Sequence, residues 1–147
     1  MRAVVIRVTE ASVTVGGAVV GAIGRGYLIL LGVGPEDTEE TARKLAVRIC
    51  NTRVFEDPDG KMNLSLSQIG GSILAVSQFT LYADLKSRRP GFSHAAPRAL
   101  ADHLYETFKD QCRELGFPVQ AGVFGADMQV SSVNDGPVTL IFDTDRA

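Results

Sequence analysis

The chain has 147 residues, of which 45% are hydrophobic and 22% charged, and its formal net charge at pH 7 is −2. This length suits one domain with its own core, and the composition excludes a disordered or fibrous protein. The slight negative charge excludes a protein that coats nucleic acid through its overall charge, so any such contact must be local. We expect a single domain over residues 1–147, without DNA as a partner.

Two features of the sequence predict where the protein resides. Its apolar runs are shorter than the roughly 20 residues of a membrane span, and its first seven residues lack the apolar stretch and cleavage site of a signal peptide. We therefore expect a cytoplasmic location and no membrane contact. The two cysteines, Cys50 and Cys112, fall on the apolar faces of two predicted helices, which favours buried free thiols over a disulfide.

The first part of the chain predicts strands. Residues 3–15 are rich in Val, Ile and Thr with partial alternation, and Gly16-Gly17 is typical of a hairpin turn into residues 18–23. Residues 27–33 form a continuous apolar run, as in a strand buried on both faces. These patterns indicate a sheet with a covered centre.

Two segments have helical spacing. In the first, Asp37 and Glu40 resemble a capping box, and its apolar stripe comprises Ala42, Leu45, Ala46, Ile49 and Cys50. The second begins near Pro97, ends before Gly116, and carries Leu100, Leu104, Phe108, Cys112 and Leu115 on one face. With the remaining strands, these helices predict an α+β fold whose largely antiparallel, barrel-like sheets are covered by two α-helices.

The segment from residue 72 to residue 84 is predicted to be a buried strand whose chemistry changes partway. Its first half is apolar, and it then continues with Ser77, Gln78, Phe79 and Thr80. One interpretation is a strand end whose hydroxyls satisfy nearby backbone groups. The other is an oxyanion site, in which backbone N–H groups near Phe79 and Thr80 point at a substrate carbonyl.

A local cluster of positive charge follows this segment. Lys86, Arg88 and Arg89 lie within a few residues of the candidate site in an otherwise slightly acidic chain. Such a cluster alone predicts a solvated loop. Beside a site, it could hold the phosphates of a polyanionic substrate.

The end of the chain predicts three short strands, over residues 119–124, 128–133 and 138–142. The last two are joined by Asn134-Asp135-Gly136-Pro137, which has the composition of a hairpin turn. Pro137 opens a strand that it cannot help to pair, and the Gly136–Pro137 bond could be cis.

Conventional catalysts are scarce. His103 lies off the apolar stripe of its helix and is expected in solvent, and the loop residue His94 has no neighbouring carboxylate in the sequence. A Ser-His-Asp or Cys-His arrangement is therefore not indicated. Metal-ligand spacings and a P-loop are also missing, so we expect neither a metal nor another cofactor.

Several motifs together carry a family resemblance. They are Arg7-Val8, Ala11-Ser12-Val13, Phe55, Gly60-Lys61-Met62-Asn63, Ser77-Gln78-Phe79-Thr80-Leu81-Tyr82-Ala83-Asp84, Arg88-Arg89-Pro90, Phe124-Gly125-Ala126-Asp127-Met128 and Asn134-Asp135-Gly136-Pro137-Val138-Thr139. With them the chain resembles the D-aminoacyl-tRNA deacylases, which remove D-amino acids from mischarged tRNA. Within residues 85–92 the chain departs from the family on both sides of Arg88-Arg89-Pro90, since family members often carry Lys-Gly before the arginines and Ser after the proline.

The resemblance implies a homodimer acting on the 3′ end of aminoacyl-tRNA. Gly136 and Pro137 of one subunit, joined by a cis bond, would enter the active site formed by residues 77–80 of the other, with Arg7 fixing their orientation. Their carbonyl oxygens would collide with an L side chain and leave room for a D side chain. Glycine has no side chain to collide with these oxygens, so glycyl-tRNA would also be accepted.

The role of Thr80 stays open between two mechanisms known for the family. In one, Thr80 is the nucleophile. In the other, the terminal ribose 2′-hydroxyl of the tRNA performs the proton transfer. A Thr hydroxyl without an adjacent base is a weak nucleophile, which favours a positioning role. Two other functions remain possible for the chain: a non-catalytic module that binds charged tRNA ends, and an esterase for small molecules.

Overall fold

The protein is described here by a computed structural model that covers residues 1–146. In chain order its elements are β1 (Arg2–Val15), β2 (Ala18–Ile23), β3 (Gly26–Gly32), α1 (Glu39–Asn51), β4 (Phe55–Glu56), β5 (Met62–Leu64), β6 (Ser72–Ser77), a 3₁₀ helix (Phe79–Tyr82), α2 (Arg98–Glu114), β7 (Val119–Ala121) and β8 (Gln129–Asp143). Over this part of the chain, no helix combines the length and apolar character that a membrane crossing requires.

The main sheet is built around the long strand β1. Strands β2, β3 and β8 all pair with it in antiparallel fashion, whereas β6 pairs in parallel with both β3 and β7. A Cβ atom on Gly21 of β2 would lie 2.7 Å from the carbonyl oxygen of Ala121 in β7, so the two ends of the sheet nearly meet. The expected α+β fold with a barrel-like sheet is thus confirmed, and the sheet is mixed.

The parallel pairs follow from the long connections that precede them. Helix α1 and the small β4–β5 sheet separate β3 from β6, while α2 separates β6 from β7. Connections of this length allow the chain to cross over and return in the same direction, which a tight hairpin does not allow. As a result, β3 and β6 end at the same edge of the sheet, where Leu31 pairs with Ser77.

Two apolar clusters stabilise the fold. The interior of the curved sheet contains residues such as Val8, Val13 and Leu74, and the other cluster lies between the sheet and the two helices. The buried residues of α1 are the predicted stripe. Cys50 and Cys112 are free, buried thiols, as predicted, with their Sγ atoms 4.0 Å apart. Their mutual hydrogen bond and burial raise the pKa of the Cys112 thiol, which keeps it neutral.

The predicted start of α1 was wrong. Thr38 is the N-cap, and its hydroxyl and that of Thr41 form the capping box. Asp37 is engaged elsewhere, because its carboxylate accepts hydrogen bonds from the Met1 ammonium group at 2.9 Å and from the Gly34 N–H at 2.6 Å. The prediction for the second helix also differs at its end: α2 stops at Glu114, which leaves Leu115 partly exposed.

The predicted hairpin near the end of the chain is instead a bulge within one strand. Ile6 pairs with Thr139 and Val8 with Asn134, so two steps along β1 correspond to five along β8. The extra residues project from the sheet. The Asn134 side chain closes the bulge, accepting from the Val138 N–H at 2.8 Å and donating to the Thr139 hydroxyl at 2.9 Å. We refer to residues 134–138 as the bulge.

Candidate active site

The candidate site is a cavity of about 520 Å³ at the edge where β3 and β6 end. It is lined by Val33, Val76, Ser77, Gln78, Phe79, Phe92, Ala95, Ala96, Arg98, Ala101, Phe124, Gly125, Ala126, Asp127, Met128 and Val130. Open α/β sheets place ligands beyond the carboxyl ends of their strands, and the cavity lies at the corresponding edge of the parallel part of this sheet. Three of the predicted residues, Ser77, Gln78 and Phe79, therefore lie in one wall.

The predicted strand does not continue to residue 84, because β6 ends at Ser77 and a 3₁₀ helix follows. The Gln78 N–H donates to the Leu31 carbonyl at 2.8 Å, and its own carbonyl accepts from the Leu81 N–H at 3.2 Å. At the start of such a helix the first N–H groups have no acceptor within it. Within residues 1–146, no acceptor pairs with the N–H groups of Phe79 and Thr80.

The Thr80 side chain has an amide as its partner and not a base. The Gln78 Nε2 atom donates to the Thr80 hydroxyl oxygen. Over the described part of the chain, no histidine or carboxylate hydrogen bonds to this hydroxyl. Without a base to remove its proton, Thr80 is poorly suited to attack a carbonyl carbon.

The two histidines lie outside this arrangement. His103 is exposed, as expected, and its Nε2 atom is 2.7 Å from a carboxylate oxygen of Glu39 on α1. His94 does have a carboxylate neighbour, contrary to the prediction, because Asp84 lies 3.5 Å from its Nε2 atom. The sequence separation of ten residues is closed by a backbone pair between Asp84 and Gly91. Residues 1–146 contain no group of three or more potential metal ligands.

Tyr82 anchors the 3₁₀ helix beneath the site. Its side chain is buried, and the Arg2 guanidinium lies 4.4 Å from the ring centroid. A Cβ atom on Gly34 would lie 3.0 Å from the Tyr82 hydroxyl, so the glycine leaves room for the ring. Burial, followed by the nearby Asp37 carboxylate, raises the pKa of Tyr82. The phenol therefore remains neutral at physiological pH.

Arg7 holds the bulge at a distance from the cavity of the same chain. Its side chain is 5% exposed, and its guanidinium donates to the Asp135 carbonyl at 2.9 Å and to the Val54 carbonyl at 2.7 Å. The Gly136–Pro137 peptide bond in the bulge is cis, and Pro137 is exposed. Ala3 pairs with Leu31 beside the cavity, and Arg7 lies four residues further along β1, which is about 13 Å.

The cationic residues occupy a loop next to the cavity. Backbone hydrogen bonds between Asp84 and Gly91, at 2.7 and 2.9 Å, close this loop. Lys86, Arg88 and Arg89 are exposed on it, and within the described residues none of them forms a salt bridge. Their charges are thus available to a ligand.

The opposite wall of the cavity was not predicted. It is formed by residues 124–128 with Arg98 from the first turn of α2. Phe92, from the loop before α2, also lines the cavity and packs against Phe79. The Arg98 guanidinium carbon lies 5.3 Å from the Phe124 ring centroid. The motif at residues 124–128 was noticed in the sequence, but nothing there indicated that it faces Ser77 across a cavity.

Comparisons with known proteins agree with this arrangement. The family model described as D-Tyr-tRNA(Tyr) deacylase matches residues 4–143. A D-aminoacyl-tRNA deacylase of Lacticaseibacillus casei is 56% identical over 146 residues, covering 99% of both chains. One from Thermus aquaticus is 59% identical over 145 residues, covering 98% of this chain and 95% of the relative.

A solved structure supports both the fold and the relationship. A protein called c-Myc DNA Unwinding Element Binding Protein superimposes with a TM-score of 0.93 at 46% identity, covering 98% of this chain and 99% of the other. With a family model and close relatives matched over nearly the whole length, the chain belongs to the D-aminoacyl-tRNA deacylase family and is a hydrolase that acts on ester bonds.

Proposed function

We propose that this enzyme holds the 3′ end of a D-aminoacyl-tRNA in the cavity and hydrolyses the ester through main-chain stabilisation. The observation that carries the proposal is a pair of N–H groups without an acceptor in residues 1–146, that of Phe79, which lines the cavity, and that of the next residue, Thr80. Water adds to the ester carbonyl carbon, and the two N–H groups stabilise the negative charge that develops on the carbonyl oxygen. The bond to the ribose oxygen then breaks, and that oxygen takes up a proton.

Few side chains are required for this reaction. An aminoacyl ester is already activated, so a positioned water and an oxyanion site supply much of the rate enhancement. Thr80 positions the ester or the water, with its hydroxyl oriented by Gln78. The terminal ribose 2′-hydroxyl, which lies next to the scissile ester, is the better candidate for moving the proton.

Selection of the D-amino acid would come from a second copy of the chain. The bulge of the same chain is held about 13 Å along the sheet from Ser77, so its own Gly136 and Pro137 do not complete the cavity. Arg7 and Asn134 hold the bulge in a projecting position. In a homodimer, the two carbonyl oxygens of the partner's bulge would exclude an L side chain while admitting a D side chain or glycine.

The outer edge of β8 supports such a homodimer. Among residues 1–146, β8 pairs only with β1, which leaves its other edge free. Val130, Val133 and Ile141 on this strand are exposed, Ile141 by 78%. Apolar side chains beside an unpaired strand edge are typical of a surface that another chain covers. We also infer a cytoplasmic location, where charged tRNA is used.

The proposal is tested by incubating the enzyme with D-tyrosyl-tRNA and L-tyrosyl-tRNA in parallel and following amino-acid release. We expect rapid release of the D-amino acid, and release of the L-amino acid no faster than in buffer without the enzyme. Equal enzymatic rates would refute the chiral exclusion. Binding of both substrates without release would instead indicate a non-catalytic module. Light scattering should give twice the chain mass of 15.7 kDa, and a monomer would refute the shared site.

Thr80→Val is expected to retain single-turnover hydrolysis within about tenfold of the unmodified enzyme. The change removes one neutral hydrogen bond, worth about 0.5–1.5 kcal/mol, while keeping the shape of the side chain. Single-turnover rates with excess enzyme measure the chemical step, and Thr80→Ser is the control that restores the hydroxyl. Loss of activity by a factor above about 10³ with unchanged tRNA binding would identify Thr80 as the nucleophile.

Arg88→Ala and Arg89→Ala should each weaken tRNA binding and reduce its dependence on salt. Each lost contact with a single-stranded phosphate lowers the slope of log K against log salt by about 0.7. Lys44→Ala is the matched control, because Lys44 is exposed but pairs with Glu40 on α1 at 2.9 Å. An unchanged slope in both arginine variants would contradict a phosphate contact. Salt-independent hydrolysis by the unmodified enzyme would favour a small neutral ester as substrate.

A further inference from the structure

Phe92 is a partly exposed aromatic residue at the rim of the cavity, and the proposed reaction does not use it. Its side chain is 42% exposed, and its ring centroid lies 5.0 Å from that of Phe79 at an interplanar angle of 72°. This edge-to-face contact leaves part of the ring surface open to solvent. Phe92 also lines the cavity, so a substrate bound there lies within reach of the ring.

Two parts of the chain bring positive charge to the region of this aromatic surface. Along the chain, Phe92 directly follows the loop that carries Arg88 and Arg89. Arg98, exposed at the start of α2, lines the same cavity as Phe92. None of these three arginines forms a salt bridge within residues 1–146. Aromatic side chains between unpaired cations are the arrangement that proteins use to hold single-stranded nucleic acid, with bases stacked and phosphates neutralised.

We propose that Phe92 stacks on the base of the nucleotide immediately upstream of the esterified terminal nucleotide. This inference rests on the proposed function, which places the ester carbonyl at the N–H groups of Phe79 and Thr80. The terminal nucleoside then occupies the cavity, and the strand must leave across the rim. A strand that leaves toward the cationic loop brings its next base past Phe92, because Phe92 connects the loop to the cavity wall.

Stacking suits the chemistry of an enzyme that acts on many tRNAs. Every base has a π-face, so an aromatic platform holds the unpaired end without reading its sequence. The platform also fixes the direction in which the terminal nucleotide enters the cavity. Phe92 would thus be a positioning residue that lowers KM for a polynucleotide substrate, and the chemical step would not depend on it.

The test measures the binding of an uncharged RNA hairpin that ends in a single-stranded CCA segment with a 5′ fluorescent label. A second hairpin lacks the base of the nucleotide before the terminal adenosine. Phe92→Leu should bind the intact hairpin about tenfold or more weakly, whereas Phe92→Tyr should bind it normally. Removing the base should weaken binding to the unmodified protein by a similar factor and leave binding to Phe92→Leu almost unchanged.

Three other results would overturn the inference. If Phe92→Leu lost the same factor of binding affinity for both hairpins, Phe92 would only support Phe79. If Phe92→Leu bound the intact hairpin as well as the unmodified protein does, no base would stack on Phe92. If light scattering showed that Phe92→Leu no longer forms a dimer, Phe92 would belong to a subunit interface. Leu85→Ala is the control: Leu85 lies in the same loop, is 72% exposed and has no π-face, so its loss should not affect binding.

These measurements need no hydrolysis, which separates this inference from the proposed function. If the protein failed to release D-tyrosine but Phe92 still detected the missing base, the reaction would be refuted and the stacking position would stand. If the enzyme released D-tyrosine normally but removal of the base before the terminal adenosine did not change hairpin binding, only the stacking position would be refuted. A final check is the ratio of kcat/KM for D-tyrosyl-tRNA to that for D-tyrosyl-adenosine, which should fall about tenfold in Phe92→Leu.

Discussion

Arg7→Leu is expected to lower the free energy of unfolding by about 3 kcal/mol or more. The Arg7 guanidinium is nearly buried and donates to the carbonyls of Val54 and Asp135. Leucine fills part of the space but donates nothing, which leaves both carbonyls without this partner. The hydrogen bond to Val54 is buried and the one to Asp135 is partly buried, and a fully buried group left unpaired costs about 1–3 kcal/mol. Urea unfolding followed by circular dichroism measures the change.

The matched control for this substitution is Arg53→Leu. Arg53 also donates from its guanidinium to a main-chain carbonyl, that of Asn63 at 2.7 Å, but it is exposed to solvent. Water replaces the lost donor there, so the expected cost is below about 1 kcal/mol. If the two variants lost the same stability, burial of the Arg7 hydrogen bonds would not be the cause of its contribution.

Arg7→Leu should also weaken the selection between D- and L-aminoacyl-tRNA. Arg7 holds the Asp135 carbonyl, and a Cβ atom on Gly136 would lie 2.9 Å from the Arg7 Nη2 atom. Arg7 therefore packs directly against the bulge. We expect Arg7→Leu, measured in the folded state, to hydrolyse L-tyrosyl-tRNA faster than the unmodified enzyme. An unchanged ratio of D to L rates would contradict the role of Arg7 in orienting Gly136 and Pro137.

Gly26→Ala should destabilise the protein by about 3 kcal/mol or more, or prevent it from folding. Gly26 pairs with Val8 on β1 and with Ser72 at the start of the parallel pair between β3 and β6. A Cβ atom at this position would overlap the Ser72 carbonyl oxygen and lie 2.7 Å from the Ser72 nitrogen. Because these are main-chain atoms, relief requires the two strands to separate. Folded yield and urea unfolding measure the effect.

Gly24→Ala, two residues earlier, is the control. A Cβ atom on Gly24 would have no atom within 4 Å, and Gly24 is not among the glycines with positive φ. Alanine should change the stability by no more than about 0.5 kcal/mol. Similar losses for both glycines would indicate that turn flexibility, and not the close approach of β6, determines the effect.

Local patterns predicted the regular elements well. The apolar stripe of α1 lies at the spacing of one helical face, and the structure buries those residues. Continuous apolar runs identified β3 and the first half of β6, since both strands are covered on their two faces. In each case the pattern involves only residues that are near each other in the sequence, and burial of their apolar side chains is the dominant favourable contribution to folding.

The bulge shows where local patterns were insufficient. An Asn-Asp-Gly-Pro segment is typical of a hairpin, so two strands were predicted where β8 is one. The difference depends on Arg7, which is more than a hundred residues away in the sequence and binds the Asp135 carbonyl. A contact over that separation leaves no local periodicity. The residue types of the bulge were recognised, but their arrangement was not.

The sequence by itself determined the α+β class, the buried thiols and, through its motifs, the family. It also singled out Ser77, Gln78 and Phe79, which line the candidate cavity. Those features depend on residue types and short spacings, which record which faces are buried and which groups are present. Only the tertiary structure decided that residues 124–128, Phe92 and Arg98 complete the cavity, and that the bulge pairs with β1 several residues away from the cavity edge. Such relations arise from the pairing and crossing of distant strands, whose register and direction no single segment encodes.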